Sequence, residues 1–68
     1  MDTERESITR EVGSRIRYAR KSRGMSMEEL AQAIYKTRSA ISKYENGQIS
    51  VDIATLYDIA NALHVSIY

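Results

Sequence analysis

Arg38, Ser39, Ser42, Lys43 and Asn46 have the types and spacing to do chemistry together. At about 100° per residue on a helix they fill one contiguous arc of roughly 140°, with Ile41 and Tyr44 opposite and Ala40 and Glu45 at the borders. The chemistry open to such an arc is hydrogen bonding to a polyanion, and a face of small, polar and basic side chains fits a DNA groove. The planar fork of Arg38 can donate two hydrogen bonds to guanine N7 and O6, a pairing worth roughly 1–3 kcal/mol of discrimination. The alternative for Arg38, at the positive end of its own helix, is a phosphate contact that carries no sequence information. Lys43 offers a flexible ammonium that serves base or backbone equally. Ser39 and Ser42 are short enough to let the helix approach closely. No His–carboxylate, nucleophile–base or metal constellation occurs at helical spacing, so catalytic and metal-binding residues are assigned to none, and neither an enzyme nor a cofactor is expected.

The arc needs elements to hold it. Residues 26–47, SMEELAQAIYKTRSAISKYENG, read as two short helices joined by a tight turn. Ser26 with Glu29 three positions later is a capping-box pattern, and Leu30, Ala31 and Ile34 form the inner face of a helix that should end near Tyr35 or Lys36. Thr37 is the next N-cap, a helix over residues 38–46 follows, and Gly47 closes it with a positive φ. Upstream, Ile8, Val12, Ile16 and Ala19 recur as one buried stripe that Gly24 stops, which leaves residues 1–7 as a flexible arm and residues 8–68 as the domain. Downstream, residues 48–51 connect to Asp52, which caps a helix carrying Leu56, Ile59, Ala60 and Leu63 at core spacing. Residues 65–68 are an apolar ending with a capping serine and no helix after it, a seam that a partner subunit or further chain should cover.

Composition narrows the class. Sixty-eight residues make a single small domain without cysteine, so disulfides and thiolate metal sites are excluded, and one histidine cannot make a zinc site. Proline is absent and glycine rare, which favours an all-α fold. The N-terminus is charged from its second residue and offers no signal peptide. The longest uncharged run, residues 59–68, falls far short of the roughly twenty apolar residues that span a bilayer, so the expected location is the cytoplasm, away from membranes. The net charge of +1 hides segregation: all ten Lys and Arg fall within residues 1–47, and residues 10–23 alone carry a balance of +5. That excess either attracts a polyanion or is a solvated helix face.

Taken in order, VGSRIRYARKSRGMS, MEELA, AISKYENG and TLYDIANALHVS resemble the phage-repressor or XRE-type helix-turn-helix family over residues 12–66. The resemblance implies a compact four-to-five-helix lambda-repressor-like bundle whose third helix enters the major groove. It also implies a homodimer on a dyad-symmetric double-stranded DNA operator, and a sequence-specific transcriptional regulator that acts as a repressor. Carried over position by position, the base-reading places are Arg38, Ser39 and Lys43, with Ser42 beside them. Phosphate contacts fall to Ser26, Lys36, Asn46, Gln48 and Ser50, and Arg20 pairs with Glu45 as a structural ion pair. The chain departs from the family at four places. Tyr35 stands at the turn's usual glycine, where a positive φ strains a bulky residue unless the turn is remodelled. His64 replaces the glycine after the fourth helix and could interact with that helix's negative end. Met27 stands where relatives place a phosphate-binding glutamine, and Val51 replaces a frequent proline. The family's fifth helix has no counterpart, so the chain reads as trimmed or truncated after helix 4. The competing reading is an antitoxin or adaptor-type protein-interaction module on the same fold, with Tyr35 and Met27 in its favour.

Overall fold

A computed structural model describes residues 3–65, and among these it contains four α-helices and no strand. These are α1 (Thr3–Ser22), α2 (Met27–Ala33), α3 (Arg38–Glu45) and α4 (Ile53–Leu63). The principal contacts run from α3 to both α1 and α2, and from α4 to α2 and α1. Ile16, Leu30, Ala31, Ile34, Ile41, Tyr44, Ile59 and Leu63 form the shared core, so every helix contributes to it. The all-α fold follows from this composition.

Three helices start on a side-chain cap. Ser26 Oγ accepts from the Glu29 N–H while the Glu29 carboxylate accepts from the Ser26 N–H, closing a capping box. Thr37 Oγ1 accepts from the Ala40 N–H. Asp52 accepts twice from Thr55, through its N–H and its hydroxyl, and this pair holds the Asp52 carboxyl below its ordinary value, the hydroxyl being the larger cause.

All four helices end alike. Gly24, Tyr35, Gly47 and His64 each adopt a left-handed backbone, with φ of 67, 59, 72 and 56°. After each, a pair of N–H groups folds back onto the last-turn carbonyls: Gly24 to Lys21 and Met25 to Arg20, Tyr35 to Gln32 and Lys36 to Ala31, Gly47 to Tyr44 and Gln48 to Lys43, His64 to Asn61 and Val65 to Ala60. The turn at Tyr35 is therefore not remodelled. It keeps the left-handed residue with a tyrosine in it, and the side chain avoids the bundle by standing 94% exposed. His64 acts through its backbone, whose carbonyl accepts from Arg23 Nη2 at 2.8 Å.

Two expectations for the first helix need correction. α1 begins at Thr3, through the segment expected as an arm, because Glu4 and Glu6 place negative charge against its positive end. Its buried stripe is also rotated by one position. Gly13, Ile16 and Arg20 are buried, Thr9 is half-buried, and Val12 and Ala19 lie at the edge, leaving Ile8 on the solvent side. α2 stops at Ala33, short of the expected end, because Tyr35 has already left the helical region. α3 stops at Glu45, with Asn46 as its cap. The expected apolar seam over residues 65–68 lies, beyond Val65, outside the described residues.

Candidate nucleic-acid interface

α3 is a short rod, about 12 Å long for its eight residues, fixed along one side only. Ile41 is fully buried, and Tyr44 and Glu45 are nearly so. Arg38, Ser39, Lys43 and Asn46 are exposed, and Ser42 is half-buried, with the Asn46 amide donating a long 3.4 Å hydrogen bond to its hydroxyl. The arc drawn from helical geometry is thus brought together on the outward face.

Two devices fix α3 to α1. Arg20 donates from Nε and Nη2 to the two Glu45 carboxylate oxygens at 2.6 and 3.0 Å, and from Nη1 to the Met25 carbonyl at 2.8 Å. Both side chains of this pair are buried, and the Glu45 hydrogen bond raises the Arg20 guanidinium above its ordinary value, against an opposing desolvation effect. The second device is Gly13. A Cβ there would collide with the Tyr44 carbonyl oxygen and lie 2.9 Å from that of Glu45, so the backbone of α1 rests directly on the last turn of α3. The sequence reading passed over Gly13. The signal was a glycine inside a helical stripe, at a position four residues after Thr9 and three before Ile16.

The residues expected at phosphates are spread around α3. Lys36 is exposed in the turn before it, and Asn46, Gln48 and Ser50 are exposed after it. Gln48 and Ser50 line an open cleft of about 530 Å³ whose other wall is Arg5, Glu6 and Thr9 of α1. Arg10 packs on the same loop, since a Cβ on Gly47 would reach within 2.6 Å of its Cγ. Ser26 is less open to an anion than expected, because its N–H is taken by Glu29 and Glu28 and Glu29 make the first turn of α2 acidic. Within the basic stretch of α1, Arg20 is committed to Glu45 and Arg15 to Glu11 at 2.7 Å, which makes much of it a structural or solvated face. Glu28 also escaped notice in the sequence: its carboxylate lies 3.0 Å from Arg38 Nε. No helix among the described residues is long and apolar enough to cross a membrane.

Known proteins resemble this chain over most of its length. The chain is 41% identical over 56 residues to an uncharacterised HTH-type transcriptional regulator of Sinorhizobium medicae (strain WSM419), a match covering 82% of this chain and 40% of the relative. It is also 41% identical over 56 residues to an uncharacterised transcriptional regulator in the ATPase CF(0) region of Rhodospirillum rubrum, over 82% of this chain and 52% of that one. A prophage-derived HTH-type transcriptional regulator of Bacillus subtilis (strain 168) is 37% identical over 54 residues, covering 79% and 50%. The chain spans about half the length, or less, of these relatives. A profile described as helix-turn-helix matches residues 16–68, and with α2, the left-handed turn at Tyr35 and α3 in place, the chain belongs to the phage-repressor-like, XRE-type helix-turn-helix family.

Proposed function

We propose that this chain is a sequence-specific double-stranded-DNA-binding domain of a transcriptional regulator that represses by occupying an operator. The observation that carries the reading is α3 itself: Ile41, Tyr44 and Glu45 hold it from within while Arg38, Ser39 and Lys43 stand in solvent. In this proposal α3 lies in the major groove, with Arg38 on a guanine edge, Lys43 and the two serines along the neighbouring bases, and Lys36, Asn46, Gln48 and Ser50 on the flanking phosphates. Ser26 adds a hydroxyl at most. Two copies related by a two-fold axis would read a dyad-symmetric site, and the domain needs neither cofactor nor catalytic group to do so. The reading places it in the cytoplasm with the DNA.

Phosphate neutralisation should dominate affinity, with binding falling steeply as salt rises. The test is a mobility-shift selection of the full chain against random DNA duplexes. Enrichment of a dyad-symmetric motif supports the proposal. Diffuse retention without a motif would instead favour a protein-interaction module, for which the nearly fully exposed Tyr35 is the best support.

A further inference from the structure

We infer that Glu28 is a specificity-determining, positioning residue: it holds the Arg38 guanidinium by its Nε side and keeps that arginine on base edges and off phosphates. The inference rests on the DNA-reading proposal above and goes one step beyond it.

Glu28 sits in the first turn of α2, a turn that the Ser26–Glu29 box fixes independently. The two acidic residues of that turn therefore divide their roles: Glu29 closes the cap and Glu28 reaches across to α3. Its Oε2 lies 3.0 Å from Arg38 Nε, and both side chains remain about 60% exposed. A pair so open to water contributes little to folding. It has two local effects instead. Arg38 is the first residue of α3, where the helix dipole disfavours a cation, and the Glu28 carboxylate offsets that penalty and limits the directions the side chain samples. With the carboxylate paired beside the Nε side of the guanidinium, the two Nη groups face away and are left to donate, and a bidentate contact to guanine N7 and O6 needs only two N–H groups.

Selectivity arises because the two ligands of Arg38 differ in charge. A guanine edge is neutral and can approach beside a carboxylate. A phosphate is an anion and meets Coulomb repulsion from Glu28 at the same approach. Glu28 should therefore lower affinity for non-cognate DNA, where Arg38 has only phosphates to bind, more than for the cognate site.

The experiment measures Kd of the full chain, at one fixed salt concentration, for the motif selected by the wild type and for a scrambled duplex of equal composition. It compares wild type, Glu28→Gln, Arg38→Ala and the double variant. Glu28→Gln is expected to tighten scrambled-duplex binding and lower the cognate-to-scrambled ratio about two- to fivefold, the upper range of an exposed ion-pair coupling. In the Arg38→Ala background the same change should leave the ratio unaltered. A ratio that stays within twofold in Glu28→Gln, or falls equally with and without Arg38, overturns the role of Glu28 alone. A wild type that selects no motif overturns the DNA-reading proposal and this inference with it.

Discussion

Gly13→Ala sets two well-defined effects against each other. Helix propensity favours alanine over glycine inside a helix by about 1 kcal/mol, so a helix considered alone would gain. The bundle forbids it. The new Cβ would clash with the Tyr44 carbonyl oxygen and sit 2.9 Å from that of Glu45, and both are backbone atoms that cannot rotate away. Restoring ordinary contact requires α1 and α3 to separate by on the order of 1 Å. Overpacking of this kind costs about 1–3 kcal/mol or more, and the separation also stretches the buried Arg20–Glu45 bonds beside it. The expected net loss is about 2 kcal/mol, a fall in melting temperature of roughly 8–16 °C for a domain of this size. Thermal and urea unfolding followed by circular dichroism would measure it, with Ser14→Ala on the exposed face of α1 as the control that should gain a few tenths of a kcal/mol. A Gly13→Ala protein as stable as the wild type would refute the close α1–α3 approach.

Other predictions concern the caps and the buried pair. Tyr35→Gly and His64→Gly each relieve a left-handed side-chain-bearing residue and should each stabilise by about 1 kcal/mol in the same assays; a loss of stability in either variant would contradict the strain assigned to these two stops. Glu45→Ala strands the buried Arg20 guanidinium and should cost about 3–5 kcal/mol, whereas the Arg20→Met, Glu45→Leu pair should recover most of it. Equal losses in the single and double variants would contradict that account. Because the folded carboxyl of Asp52 lies below its unfolded value near 3.8, its stabilising effect is present above that pH and disappears as pH falls through the folded value. Urea midpoints taken from pH 5 to pH 2 should therefore fall less steeply in Asp52→Asn, which caps but does not titrate; parallel curves would count against the Asp52–Thr55 interaction.

Local signals carried most of the fold. Ser26, Thr37 and Asp52 are caps legible from residue type and spacing, because a capping hydrogen bond spans only three residues. The left-handed stops at Gly24 and Gly47 are legible for the same reason. What the sequence concealed depends on contacts between helices. Ile8 and Gly13 could not be sorted into solvent and core until the neighbour of α1 was known, and apolarity alone chose the wrong one. Arg20 joins the buried stripe because Glu45, distant in sequence, awaits it, a pairing that the family resemblance implied and that the apolar periodicity of α1 could not show. The outward arc of α3 followed from helical geometry, whereas the Glu28–Arg38 contact needed the relative placement of α2 and α3.

The central claim is that Arg38 reads a base. Its most direct measurement is duplex selection repeated with Arg38→Ala beside the wild type. The account predicts that one position in each half-site loses its preference while the remaining positions keep theirs, with cognate affinity falling roughly 5- to 150-fold. An equal loss of affinity for every sequence, with the base preference at each position unchanged, would show that Arg38 binds phosphate and that α3 does not read DNA in the way proposed.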